Sequence, residues 1–318
     1  MSNRKTIPLI IIPIIAIGLA VSACDDDSQT APNVKAGDAA TCAVLDSGIV
    51  SLQGGSALIG SDEAYAEERP QRMVNIAPFN IDTTEVTNAQ FSQFVAATGY
   101  VTQAEKPQPG FGTAGGAVFT VPSPSNPSWW RFVEGANWRH PTGPESTIEG
   151  MDNYPVVQVS LLDAKAYARW INRRLPTEPE WEYAAKAGSE TLYAWGEERA
   201  PGGQEQANTW QGMFPIQNTQ TDGYKLHAPV GCFPASDFGL YDMIGNVWEW
   251  TDTLYTTKDT IAAEPKTSIA DDPFYTIKGG SFLCAENFCR RYRASARQAQ
   301  EASFSTNHIG FRTVQSEP

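Results

Sequence analysis

The 318-residue sequence predicts an α+β domain with little regular secondary structure, preceded by a short leader. Three observations predict it. Three helix starts carry capping signals, the apolar extended runs are short, and long stretches rich in Gly, Pro, Asn and Trp lie between them. With 26 Gly, 22 Pro and nine Trp, the composition suits a loop-rich globule better than a helical bundle. No repeat and no second linker interrupts the chain after residue 40, so residues 41–318 are expected to form one domain.

The elements follow in order. Arg4 and Lys5 precede an apolar run from Ile7 to Val21, broken by Pro8 and Pro13 and ending in small residues, as a secretory signal does. Its end, Val21-Ser22-Ala23-Cys24, resembles a bacterial lipobox. Residues 1–23 then read as a lipoprotein signal peptide, with Cys24 as the lipidated first residue of the mature chain. Residues 24–40, polar and small, read as a flexible tether. Asp25 after the lipidated Cys resembles an inner-membrane retention signal. The expected place is therefore extracytoplasmic, anchored to a bacterial membrane on its periplasmic side, where disulfides persist.

Thr87 and Gln90 form a capping-box pattern, followed by Phe91, Phe94 and Val95 on one face and Gly99 as a stop. Ser160 caps a second helix, with Leu162, Ala166, Trp170 and Ile171 expected inward. Thr177 and Glu180 box a third, with Trp181 and Ala185 inward and Gly188 at its end. The runs 48–52, 74–81, 156–159 and 276–281 read as strands. Loops as long as those between them need something to hold them, and bound cations are a common solution.

Charge and residue counts exclude several functions. With 23 Lys+Arg against 36 Asp+Glu, the net charge of −13 argues against a nucleic-acid partner. His140, His227 and His308 are scattered and form no zinc signature. Chemistry is left to carboxylates, tryptophans and five cysteines.

Two of those cysteines, Cys284 and Cys289, are five residues apart. On a helix they would diverge by about 140°, and on a strand they would face opposite sides, so their sulfurs meet only if the segment hooks back. Two apposed thiolates suit a soft metal such as Cu(I), and Arg290, Arg291, Arg293 and Arg297 nearby would favour thiolate. An ordinary structural disulfide satisfies the same spacing.

Several spaced motifs are similar to one family. They are Phe79-Asn80-Ile81-Asp82-Thr83-Thr84-Glu85-Val86-Thr87-Asn88, Arg174-Leu175-Pro176-Thr177-Glu178-Pro179-Glu180-Trp181-Glu182-Tyr183, the run from Gly239 to Trp250, Lys278-Gly279-Gly280-Ser281, and Gly310-Phe311-Arg312. In this order they resemble the formylglycine-generating, sulfatase-modifying family across the mature domain. The resemblance implies a C-type-lectin-like α+β fold. It also implies a copper-dependent oxidase that uses O2 to convert a cysteine, in a Cys-x-Pro-x-Arg-type segment of an unfolded sulfatase, to Cα-formylglycine. In that family Cys284 and Cys289 correspond to the copper-binding catalytic pair. Ser281, Trp248 and Arg297 match positions in or near the site, and Ala285 and His308 depart from the usual His and Asn.

The resemblance further implies two structural calcium sites. One would use the side chains of Asn208 and Asp222 with the carbonyls of Thr209 and Tyr224; the other Asp242, the carbonyls of Gly245 and Val247, and Glu249. With Cys24 assigned to lipid and one pair to copper, Cys42 and Cys232 remain and are expected to form a disulfide. A monomer is expected. Because relatives include non-catalytic lipoproteins, the alternative is a periplasmic binding or structural module built on the same lectin-like domain.

Overall fold

The computed structural model describes residue 42 and residues 48–125, 127–256 and 272–316. The signal peptide, Cys24 and the tether lie outside the described residues. Eleven short strands occur among the described residues: β1 (Ile49–Leu52), β2 (Gly55–Ile59), β3 (Arg72–Ile76), β4 (Phe79–Asp82), β5 (Gly115–Phe119), β6 (Trp130–Glu134), β7 (Trp248–Leu254), β8 (Phe274–Lys278), β9 (Arg297–Glu301), β10 (Ile309–Gly310) and β11 (Val314–Ser316). Helix α1 (Asn88–Thr98) lies between β4 and β5, and α2 (Leu161–Trp170) and α3 (Glu178–Lys186) lie between β6 and β7.

The strands form two small sheets, β1-β4-β11 and β10-β7-β8-β9, and two hairpins, β2-β3 and β5-β6. Pairing is antiparallel except between β10 and β7. Between Gly135 and Val247 the chain has two α-helices, a single 3-10 turn at Pro201–Gly203 and no strand.

Backbone groups without a ladder partner are therefore met by buried side chains. Gln158 donates from Nε2 to the carbonyls of Ala117 and Pro141 (3.0 and 2.9 Å). Trp250 donates its indole N–H to Val159 O at 3.0 Å. Asn246 Oδ1 accepts from Ala228 N at 2.8 Å.

All three helix starts form as capping boxes, at Thr87, Ser160 and Thr177. Helix α1 buries Phe91, Phe94 and Val95 and stops at Gly99 with φ 66°. Phe91 is the hub of an aromatic cluster, with ring centroids 5.4 Å from Phe94, 5.2 Å from Trp138, 6.0 Å from Tyr167 and 6.4 Å from Phe311.

Five sequence expectations need correction, the first being the run 276–281, whose strand β8 ends at Lys278 because Gly279 and Gly280 take φ 95° and 78°. The buried face of α2 is Leu161, Ala164, Tyr167 and Ala168, whereas Leu162 and Trp170 are 43% and 39% exposed. The cap sets this phase: Asp163 folds back onto Ser160 and is buried there, also accepting from Tyr100 Oη and Gln103 N, so the apolar stripe is rotated. The run 74–81 is two strands, because Pro78 has no N–H for a ladder; β3 pairs with β2, and β4 with β1 and β11. Residues 156–159 are buried but not a strand, since Gln158 takes φ 57°. Helix α3 ends on Ala187 (φ 49°), one residue before Gly188.

Cys42 and Cys232 are joined as a disulfide across 190 residues, fastening the start of the described chain to the loop before β7.

Phe91→Ala is expected to lower stability by about 3–5 kcal/mol, while Leu162→Ala changes it by no more than about 0.5 kcal/mol. Urea midpoints at unchanged m check both values, and equal losses at the two positions would contradict the assigned face of α2.

Candidate active site

The segment after β8 builds the site. Gly279 and Gly280 take φ 95° and 78°, and a Cβ on Gly280 would sit 2.8 Å from the carbonyl oxygen of Arg291. Ser281 is buried at the turn, its carbonyl accepting from Cys284 N (2.9 Å) and its Oγ from Leu283 N (3.3 Å). Ala285 and Phe288 then exchange both backbone hydrogen bonds (2.8 and 3.1 Å), so the chain doubles back over Glu286 and Asn287. Cys289 completes the reversal with φ 55°.

The result is a hook that brings the two sulfurs to 3.2 Å without a disulfide. It is clamped to the loop around residue 210. Cys284 O accepts from Trp210 N at 3.0 Å, the Asn287 amide bonds both main-chain groups of Phe214 at 3.3 Å, and the Phe288 ring stacks on Phe214 at 4.6 Å.

The two thiols are electrostatically unlike. Cys289 is lowered to about 6, first by the hydrogen bond from Cys284 and then by the Arg291 guanidinium, whose Nη1 lies 3.8 Å from its sulfur. Burial pushes the Cys284 thiol up, and the neighbouring Cys289 reinforces this. Burial and the Arg291 guanidinium thus favour a thiolate on Cys289 over one on Cys284.

Of the four arginines expected to favour thiolate, Arg291 is the one that reaches a sulfur. Glu67 holds it through Nε and Nη2 (3.2 and 2.5 Å), and the Tyr65 ring lies 4.3 Å below it. Arg293 is bound to Glu68, and Arg297 to Glu178 at 2.8 and 2.9 Å. Tyr65 and Glu67 carry no local sequence signal, because they lie more than 220 residues from the arginine they orient.

The other anticipated residues are placed more deeply. Trp248 is 2% exposed within the main core, and its main-chain N–H donates to His308 O at 2.9 Å. His308 contacts Thr306 Oγ1 through Nδ1 (2.7 Å), and its ring centroid lies 4.7 Å from that of Trp130. Burial lowers it to about 3, so the imidazole is neutral at pH 7. Asn307, beside it, accepts from Phe119 N at 3.0 Å.

Two oxygen-rich clusters lie near the hook's supports. In the first, Asp222 Oδ1 accepts from Tyr224 N (3.0 Å) and Oδ2 from Gln211 Nε2 (2.7 Å), and the same amide also reaches Thr209 O. Thr209 O and Asp222 thus converge on one point, and burial raises the Asp222 carboxyl to about 6. Asn208 donates from Nδ2 to Leu226 O at 2.9 Å, close to the same loop. This set fits a hard cation.

The second set fits less well. Both oxygens of Glu249 are taken, by Arg312 (2.8–3.0 Å) and by the Trp181 indole (2.8 Å). Asp242 Oδ1 and Glu85 Oε2 are instead the buried acceptors without a partner among the described residues. Gly245 and Val247 belong to the same turn, where Gly245 N donates to Gly279 O at 3.0 Å.

Residues 36–317 match the family of sulfatase-modifying factor enzyme 1-like domains. The chain is 48% identical over 290 residues to the formylglycine-generating enzyme of Mycobacterium tuberculosis, covering 84% of this chain and 97% of that one. It is 42% identical to the formylglycine-generating enzyme of Streptomyces coelicolor, covering 83% and 88%. It is 36% identical to the inactive C-alpha-formylglycine-generating enzyme 2 of Bos taurus, covering 83% and 86%. Among solved structures it resembles PvdO from Pseudomonas aeruginosa, with TM-score 0.59 and 25% identity over 85% of this chain and 94% of that chain.

The thiol asymmetry is open to test by alkylation of the metal-free protein with iodoacetamide. Cys289 is expected to react faster than Cys284, with a rate that rises with pH through about 6, because its thiolate forms there. Arg291→Met removes a cation that favours the thiolate, so the midpoint moves to higher pH. A single midpoint in the ordinary thiol range for both cysteines would contradict this assignment.

Proposed function

The chain belongs to the sulfatase-modifying factor enzyme 1-like family, and on that footing we propose that it converts a cysteine of a client sulfatase to Cα-formylglycine. The observation that carries the reading is the unbridged pair Cys284 and Cys289, its sulfurs held 3.2 Å apart by a hook built for that approach. A module that only bound a partner would have no need of two apposed free thiols beside an arginine.

The donor set fits Cu(I). Both sulfurs are free, they converge, and one is ionised near neutral pH. When bound, copper would supply the one-electron and O2 chemistry that oxidising a carbon beside sulfur requires and that acid–base groups alone lack. The chain's own residues do the rest. Arg291 balances the charge on Cys289 and is itself fixed by Glu67. Cys284, 1% exposed, keeps its proton away from solvent. Phe288 stacks on Phe214 and lies 5.3 Å from Trp129, which holds the far limb of the hook against the loop around residue 210.

The substrate segment in this reading is of the Cys-x-Pro-x-Arg type in an unfolded sulfatase, with O2 as co-substrate. The lipobox at Val21–Cys24 supports a chain lipid-anchored outside the cytoplasm, and the Cys42–Cys232 disulfide accords with an oxidising compartment. The cluster at Asn208, Thr209, Asp222 and Tyr224 supports a structural Ca²⁺ there.

The mature protein, given Cu(I), O2 and a peptide containing Cys-Thr-Pro-Ser-Arg, is expected to yield an aldehyde detected by mass after hydrazide capture. Cys284→Ser and Cys289→Ser each reduce the yield to background. Unchanged peptide with the wild-type protein, together with copper binding indifferent to both cysteines, would leave the binding-module alternative standing. For calcium, restoring Ca²⁺ to chelator-stripped protein at about 100 times its Kd is expected to add about 2.7 kcal/mol of stability. Asp222→Asn should abolish that gain, and a gain that survives the substitution would remove Asp222 from the site.

A further inference from the structure

Resting on that reading, we infer that Arg291 decides which metal the cysteine pair takes, favouring a monovalent ion over a divalent one, and that Glu67 positions it for this task. Arg291 is half-buried, and its Nη1 lies 3.8 Å from the sulfur of Cys289. Its other nitrogens, Nε and Nη2, are held by Glu67 Oε1 at 3.2 and 2.5 Å, and its Cζ lies 4.3 Å from the centroid of the Tyr65 ring. The positive end of the Glu67–Arg291 pair is therefore the end turned to the sulfurs.

The other cations of the segment are committed elsewhere. Arg293 is bound to both oxygens of Glu68 at 2.9 and 2.5 Å, Arg297 to Glu178, and Lys278 to Glu182. Arg290 is exposed, and its main-chain N–H donates to Tyr65 Oη at 3.2 Å. Glu67 is itself fixed in the 3-10 turn Ala66–Glu68 between β2 and β3. Its carbonyl accepts from Arg297 Nη1 at 3.2 Å, and the next residue, Glu68, also accepts from Ser295 Oγ at 2.7 Å. One short turn, 224 residues before Arg291, thus brings a single guanidinium to the sulfurs.

Charge then separates the candidate metals. Two thiolates and a monovalent ion carry one net negative charge, which the guanidinium beside them balances. Two thiolates and a divalent ion carry none, and the same guanidinium faces a centre with no charge to offset it. The number of ligands acts in the same direction. Soft Cu(I) suits thiolate donors, whereas Zn²⁺ takes four ligands in its structural sites, and no third Cys, His, Asp or Glu groups with the pair among the described residues. Of these two effects, the arginine is the one that a substitution can remove while leaving both sulfurs in place.

The test sets the metal-free mature protein, without oxygen, in competition with chromophoric chelators for Cu(I) and for Zn²⁺. Both ions require both sulfurs as thiolates, so thiol acidity cancels in the ratio of the two affinities. In Arg291→Gln that ratio is expected to fall at least about tenfold, and in Arg291→Lys, which keeps the charge, less than about threefold. Glu67→Ala should lower the ratio, and Glu67→Gln, which keeps an acceptor for the guanidinium, should preserve it. Arg290→Gln is the charge control and should leave it unchanged. An unchanged ratio in Arg291→Gln, even with both affinities weakened, would overturn the assignment, as would an equal fall in Arg290→Gln or a wild type that prefers Zn²⁺. A ratio that rises in Glu67→Ala would remove the positioning role of Glu67. Circular dichroism checks that each variant folds; should Arg291→Gln not fold, the Ala and Gln variants at Glu67 carry the test. A Cu(I) preference that depends on Arg291 in a protein unable to make aldehyde would overturn the oxidase reading and leave the metal selection intact. Aldehyde formation with a ratio indifferent to Arg291 would do the reverse.

Discussion

Arg312 is the fastener on which the rest of the structure depends. It is fully buried, and its guanidinium donates to both oxygens of Glu249 on β7, to the carbonyls of Asp82 and Thr83 at the end of β4, and to Tyr241 O. A fold with such short ladders cannot tie its segments together by sheet hydrogen bonds alone. A planar group with five donors joins three segments that are far apart in sequence, and the ion pair makes the desolvation of both partners tolerable. The surroundings remain acidic: Glu85 and Asp242 lie close by, and burial pushes both carboxyls up.

A second buried ion network carries the frame to the hook. Lys278, at the end of β8, is fully buried and bound to Glu182 of α3 at 2.9 Å and to Ser295 O at 3.2 Å. Glu178 of the same helix holds Arg297 at the start of β9. Helix α3 therefore fixes both strands that flank the cysteine segment, and the hook inherits its position from charges buried beneath it. Its outer side is set differently, by the Phe214–Phe288 stack and the Asn287 clamp. The hook is thus held by buried ion pairs on one side and by an aromatic stack and an amide clamp on the other.

What the sequence disclosed was local. The caps at Thr87, Ser160 and Thr177 are written in residues three apart, and they were legible for that reason. The hook was legible because a five-residue spacing leaves the sulfurs no regular way to meet. The phase of α2 is not legible because Leu162 and Trp170 look as apolar as Leu161 and Tyr167, and the choice of face depends on contacts made by distant segments. Among four neighbouring arginines, the one that serves Cys289 is singled out by Glu67, and nothing near the cysteines in sequence points to that glutamate. The break at Gln158 was hidden for a related reason: its left-handed backbone is tolerated because its amide binds two distant carbonyls.

The two cysteine pairs lie at opposite extremes of separation. Cys42 and Cys232 are joined across 190 residues, whereas Cys284 and Cys289 are five apart. In an unfolded chain the entropy of loop closure favours the near pair, so an oxidant acting on the nascent protein would close the short ring before the long one. The finished molecule shows the opposite outcome, with the long ring closed and the short one open. Keeping the short ring open therefore cannot rest on chain statistics; it falls to the folded hook, which fixes the position of both sulfurs. The sulfurs that are easiest to join are the ones that have to stay apart.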